Sequence, residues 1–147
     1  MSRSTYPEAT VGALILNPEG EIFLFQSHKW KGAWAIPGGH IEAGESAVTA
    51  VRREALEETG LILDSVDFLC YQECIYDPAF WQAKHFIFLD FVCRTAGGEV
   101  TLNDEAEAWK WVRIEELDQL DIEPFTRKTL RLYLQQFHPE KKESLPC

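Results

Sequence analysis

Between Ser46 and Gly60 the chain has room for one kind of regular element. Ala47, Val48, Ala50, Val51, Ala55 and Leu56 recur at helical spacing, with Ser46 at an N-cap position and Gly60 at a left-handed C-cap. The spacing predicts a helix over Ser46 to Thr59, about four turns long. Just upstream, Pro37-Gly38-Gly39 is expected to forbid regular structure. The helix carries Glu54, Glu57 and Glu58. At about 100° per residue, Glu57 and Glu58 fall about 60° to one side and about 40° to the other of Glu54, so three carboxylates share a face. Like charges at i, i+4 destabilise a helix, and its C-terminal dipole disfavours anions there. Something should compensate, and a divalent cation is the obvious candidate: Mg²⁺ is typically held by a few carboxylates together with substrate phosphates. For the three glutamates alone the plainer reading is a solvated acidic face with Arg52 and Arg53 as counter-ions.

The rest of the chain agrees with one mixed domain over 1–147, its ends (1–8 and 139–147) expected to be flexible. Val11 to Leu16 and Ile22 to Phe25 are apolar runs separated by Asn17-Pro18-Glu19-Gly20, the pattern of a hairpin. Strand-like runs follow at Val66 to Cys74, His85 to Arg94 and Ala108 to Ile114. Phe125 to Phe137 reads as a second helix with Leu130, Leu132, Leu134 and Phe137 as its apolar positions. Strands and helices mix without strict βαβ alternation. The expected class is therefore α+β, an α/β/α sandwich in which helices flank a mixed sheet.

Net charge and cysteines narrow the partners. A formal charge of −10 argues against duplex nucleic acid, which is held by Lys and Arg. It does not argue against a phosphorylated small molecule reached through a cation. No apolar run approaches the ~18 residues of a membrane span, and the polar N-terminus lacks the stretch of a secretory signal. The four cysteines, Cys70, Cys74, Cys93 and Cys147, form no C-x-x-C pair, so core or surface thiols in a reducing cytoplasm are expected.

The surroundings of the helix decide between the two readings of its glutamates. Gly39, Glu45, Arg53, Glu54, Ala55, Glu57, Glu58, Gly60 and Leu61 reproduce the pattern G-x5-E-x7-R-E-U-x-E-E-x-G-U, where U is a bulky aliphatic. Chance agreement at the seven positions that demand one residue type is on the order of 10⁻⁸ per starting point. The stretch resembles the signature of the Nudix hydrolase family, with Ala55, smaller than usual, as its one departure. Trp34 to Gly39 resembles the segment that leads into the motif in many members. The late region from Glu105 to Trp111 is similar too: a distal glutamate stands six residues before a tryptophan, with Glu107 as a competitor to Glu105.

The resemblance implies a fold and a chemistry. Glu54, Glu57, Glu58, Glu105 and the Gly38 carbonyl would hold Mg²⁺, with Mn²⁺ as a substitute, and the ion would activate water against a phosphoanhydride. Glu54 is the first choice of general base and Glu105 the second; Arg53 would orient a carboxylate or phosphate, and Gly39, Glu45 and Gly60 would set the loop and helix geometry. The partner implied is a nucleotide, most nearly a nucleoside triphosphate as in MutT-type members. Trp30, Trp34, Lys29 and Tyr76 are candidate contacts, and Phe80 and Trp81 further stacking candidates. ADP-ribose, nucleotide sugars and dinucleoside polyphosphates are alternative substrates. An isopentenyl diphosphate isomerase-like activity and a non-catalytic sensor are the competing classes, and a homodimer is an open assembly state.

Overall fold

The computed structural model describes residues 5–145. Seven strands and two helices follow in the order β1 (Glu8–Leu16), β2 (Ile22–Ser27), β3 (Trp34–Ala35), β4 (Gly38–His40), α1 (Ala47–Thr59), β5 (Leu63–Ile75), β6 (His85–Thr95), β7 (Ala106–Val112) and α2 (Pro124–Phe137). Short 3₁₀ turns occupy His28–Trp30, Ile114–Gln119 and Pro139–Ser144.

β1 is the axis of the sheet. It runs parallel to β6 from Glu8↔Phe86 to Leu16↔Arg94, antiparallel to β4 over Thr10 to Gly12, and meets β2 at Leu16↔Ile22. The order is β3-β2-β1-β6-β5, with β4 on β1 and β7 on β2. Strand alternation divides the core in two. Val11, Ala13, Ile15, Phe23, Phe25 and Phe91 pack with Ala50, Val51 and Ala55 of α1. Leu14, Leu16, Ile22, Leu24 and Val92 pack with Leu130, Tyr133 and Leu134 of α2. A mixed sheet between helices is the expected α/β/α sandwich.

α1 has the expected ends: the Ser46 side chain accepts from the Thr49 N–H, and Gly60 is left-handed at φ 76°. Its buried face is narrower than the apolar pattern suggested, because Val48 and Leu56 are exposed and the small Ala50, Val51 and Ala55, with partly buried Ala47, meet the sheet. Ala55, the departure from the signature, is fully buried.

Three expectations are corrected. Pro37-Gly38-Gly39 does not forbid regular structure: Gly38–His40 is a strand, with Gly12↔Gly38 and Val11↔Gly39 in register. A Cβ at Gly38 would collide with the Val11 carbonyl, so the glycine permits the pairing it was expected to prevent. The late strand is Ala106–Val112, and Ile114 already begins a 3₁₀ turn. In α2 the buried positions are Thr126, Thr129, Leu130, Tyr133 and Leu134, whereas Phe137 is exposed. Polar Thr126 and Thr129 continue the true i, i+3, i+4 stripe, which apolar residues alone did not reveal. The segment from Pro139 to Ser144 is a 3₁₀ turn, and Leu145 beyond it is wholly buried in the α2-side core. At the other end Glu8 opens β1; the remaining expectations for 1–4 and 146–147, Cys147 included, lie outside the described residues. Among the described residues no helix is long and apolar enough to cross a membrane.

Candidate active site

The acidic face of α1 meets the β1–β4 seam. Glu58 is 2% exposed and accepts a hydrogen bond from the Gly38 N–H at 2.9 Å, so it is the amide of Gly38 that touches the helix. Gly39 lies against Glu54, where a Cβ would collide with the carboxyl group. The glycines thus let a strand edge slide over the carboxylates.

Arg53 is the hub of this corner. Its Nε donates to Glu45 Oε2 at 2.7 Å and Nη2 to Glu45 Oε1 at 2.8 Å, a bidentate pair. Nη1 donates to Glu54 at 2.8 Å and Glu57 at 3.2 Å, and Nη2 also reaches the His40 carbonyl at 2.9 Å. The Arg53 guanidinium holds the Glu45 carboxyl down at about 2, and Glu45 in turn raises the pKa of Arg53. Glu45 also accepts from the Glu42 N–H, fastening the loop before α1.

Glu105 joins from the segment before β7, where Lys29 Nζ contacts it at 2.5 Å. Its competitor Glu107 is exposed on β7 and lines a separate shallow pocket. Burial pushes Glu58 well above the carboxylate range, and its hydrogen bond to Glu105 and the nearby negative charges of Glu105 and Glu54 push it further. Burial also raises Glu54, against the opposing pull of Arg53. Burial would raise Glu105 as well, but the Glu58 hydrogen bond and the Lys29 ammonium outweigh it and leave Glu105 below its usual value. Burial and the neighbouring carboxylates thus favour the protonated form of Glu58, while Lys29 favours the ionised form of Glu105.

Among the described residues no three His, Cys, Asp or Glu groups converge closely enough to coordinate an ion; Arg53 and Lys29 engage the carboxylates instead. The donor set nevertheless fits a hard divalent cation. It consists of carboxylate and carbonyl oxygens, and the like charges that help raise Glu54 and Glu58 are what such an ion would relieve.

These groups line one cavity of about 390 Å³ together with Gly38, Gly39, Lys29 and Trp30. Trp30 meets Phe80 at 4.8 Å and Phe125 at 5.8 Å between ring centroids, forming an aromatic wall. Two candidate contacts lie elsewhere. Trp34 packs against the α2-side core with Lys110 Nζ 5.1 Å from its ring, because it points away from the cavity on β3. Tyr76 is exposed in a left-handed turn beside His85. Trp81 is likewise exposed, against His28. Sequence reasoning missed Asp90, Glu123, Phe86, Phe88 and Phe125, which also line the cavity. Only Glu123 left a local trace, as the residue before the proline that opens α2.

Known proteins share this arrangement. The family model of the NUDIX domain matches residues 7–133. "Nucleoside triphosphatase NudI" from Escherichia coli (strain K12 / DH10B) is 37% identical over 107 residues, covering 69% of this chain and 76% of the relative. The crystal structure of a MutT NUDIX hydrolase from Burkholderia pseudomallei superposes with a TM-score of 0.74 at 28% identity, covering 86% of this chain and 98% of that one. The NUDIX domain of Shewanella oneidensis NrtR, crystallised with ADP ribose, shares the fold at a TM-score of 0.76 and 17% identity, with 90% of each chain covered. Hydrolases of this family generally use divalent metal ions. The chain belongs to the NUDIX family and is a hydrolase of phosphoanhydride bonds.

Proposed function

We propose that the chain is a magnesium-dependent nucleoside triphosphate pyrophosphohydrolase, with Mn²⁺ as a substitute ion. The observation that carries the proposal is one cavity holding both the Glu54–Glu58–Glu105 cluster, flanked by Arg53 and Lys29, and an aromatic wall around Trp30. Similarity to NudI nucleoside triphosphatases supports the choice of substrate.

Glu54, Glu57, Glu58, Glu105 and the Gly38 carbonyl would hold the ion, which supplies Lewis acidity toward a phosphoryl oxygen. Glu54 takes the proton of the attacking water, and its burial, which raises its proton affinity, suits it to that task. Arg53 fixes the Glu54 carboxylate while clamping Glu45, so the base, the loop and the helix move as one. Lys29 exchanges Glu105 for the incoming phosphate, and Trp30 lies against the base. A reducing, cytoplasmic setting and a homodimer complete the proposal. The free thiols of Cys70, Cys74 and Cys93 support the first, and the exposed Phe68, Tyr71 and Ile75 on β5 the second.

The test is a panel of nucleoside triphosphates, ADP-ribose, nucleotide sugars and dinucleoside polyphosphates, assayed with Mg²⁺ and with chelator, products identified. Metal-dependent conversion of triphosphates to monophosphate and pyrophosphate is expected. Faster turnover of ADP-ribose or a dinucleoside polyphosphate than of every triphosphate would overturn the substrate assignment.

A further inference from the structure

Two loops beside the cavity are joined in a way the chemistry above does not use. One is the 3₁₀ turn His28–Trp30, whose Lys29 and Trp30 line the cavity. The other, residues 76–84, links β5 to β6 and supplies Phe80 to the same wall. Antiparallel neighbours are usually joined by about 2–5 residues, so this loop is longer than its connection requires. The Tyr76 N–H donates to the Lys84 carbonyl at 2.8 Å and closes its neck. Asp77 shapes its tip, accepting from the Ala79 N–H on Oδ1 at 2.8 Å and from the Phe80 N–H on its carbonyl at 3.2 Å.

Lys31 fastens that tip to the turn. Its Nζ donates to the Pro78 carbonyl, and the Trp81 N–H donates to the Lys29 carbonyl at 2.8 Å. Rings follow the same path. Phe80 meets Trp30 at 4.8 Å and Phe86 at 5.1 Å, and Trp81 meets His28 at 5.3 Å between centroids. The backbone of Lys31 is what singles its side chain out. It ends the turn in the left-handed region, at φ 58° and ψ 34°, where glycine fits best and a Cβ carries a steric cost. Lys31 and Tyr76 are the two non-glycine residues with positive φ among the described residues, one beside each of the joined loops. A glycine would hold the turn with less strain, but it would lack the ammonium that reaches Pro78. An exposed hydrogen bond of this kind contributes little to stability, so its use lies in what it places. That is Phe80, two residues beyond Pro78.

We propose that Lys31 is a positioning residue for the nucleobase: it clasps residues 76–84 to the turn and so holds the Phe80 ring beside Trp30 as one side of the base-binding wall. Without the clasp the loop keeps its neck and its Asp77 turn, but the ligand itself must bring Phe80 into place. Ordering that ring then subtracts from the binding free energy. The loss falls on the part of the ligand that touches the wall, not on its phosphates. The inference rests on the nucleotide reading of the cavity and deepens it, because Lys31 sets base affinity from outside the cavity.

The experiment measures metal-free binding of AMP, GMP, CMP and UMP by calorimetry, with ribose 5-phosphate as the base-free control. It uses the unaltered chain, Lys31→Gly, Lys31→Arg, Phe80→Ala and the Lys31→Gly/Phe80→Ala pair. In Lys31→Gly the thermal midpoint should stay level or rise, while the tightest mononucleotide binds about fivefold more weakly. Lys31→Arg, which keeps a donor of similar reach, should recover most of that loss. The pair should bind no more weakly than Phe80→Ala alone, since Lys31 acts through that ring. With the triphosphate turned over fastest in Mg²⁺, Lys31→Gly should raise KM by a similar factor. Unchanged mononucleotide affinity in Lys31→Gly overturns the proposal, and so do losses that add in the pair. Equal weakening of ribose 5-phosphate overturns it too, because Lys31 would then serve the phosphate. Base-dependent loss in Lys31→Gly, with no triphosphate hydrolysed by the unaltered chain, supports the clasp and refutes the pyrophosphohydrolase assignment instead.

Discussion

At the scale of single residues, the site is a set of carboxylates whose environments differ. Glu57 is more than half exposed and Glu58 is buried, although they are neighbours on α1. Glu57→Gln should therefore leave the thermal midpoint within about 2 °C while turnover falls on the order of 100-fold, read by calorimetry and steady-state kinetics. Normal turnover would remove Glu57 from the metal site. Glu45 shows the opposite electrostatics. Its carboxyl is held at about 2 by Arg53, so the pair's contribution to stability is complete above about pH 4.5 and lost as pH falls toward 2. A carbon-detected NMR titration of the Glu45 carboxyl should show that low midpoint, and Arg53→Lys, which forfeits the bidentate geometry, should move it up. Glu123 has a raised pKa, so its sign reverses. From 4.5 to about 7 the folded chain holds the proton more tightly than the unfolded one, and stability declines as pH rises across that interval, by about 3 kcal/mol at most. Glu123→Gln should flatten that slope in urea melts between pH 5 and 8.

At the scale of elements, α1 is held by its two ends and a thin apolar stripe. Ser46→Ala removes the acceptor for the Thr49 N–H and should cost about 1 kcal/mol in urea denaturation, with kcat unchanged. Gly39→Ala should do the reverse. Its Cβ would displace the Glu54 carboxylate, so turnover should fall by more than tenfold with little change in the urea midpoint. What could be read in advance follows from the same contrast. The caps of α1 and the shared face of Glu54, Glu57 and Glu58 are local facts, written within fifteen residues. The floor of the cavity is not local. Asp90 and Glu123 lie on β6 and α2 and meet only because β6 runs parallel to β1 while α2 crosses that side of the sheet. β4 was hidden for another reason: two glycines in succession look like a break until a strand is found near enough to need them. Trp34 and Tyr76 lie outside the cavity because an aromatic residue's type says nothing about which face of the sheet it occupies, as for Trp34, or which way a turn carries it, as for Tyr76.

At the scale of the whole molecule, the two cores share the sheet but close differently. The α1 side ends at the carboxylates, whereas the α2 side is sealed by Leu145, just after the last described 3₁₀ turn. Leu145→Ala should destabilise the protein by about 2–3 kcal/mol, measurable as a lower urea midpoint. The chain carries a net charge of −10 and still gathers Arg53 and Lys29 at the one place where phosphates must enter. That placement, rather than the overall sign, is what a polyanionic ligand meets.

The seam where Gly12 faces Gly38 has a further consequence for how this protein tolerates change. Neither residue has a side chain that could react, yet one makes way for Asp90 and the other for the Val11 carbonyl. A saturation scan scored by catalysis would single out both as sharply as the glutamates, and would mislead anyone who took intolerance as the mark of a reacting group. Here it marks a clearance.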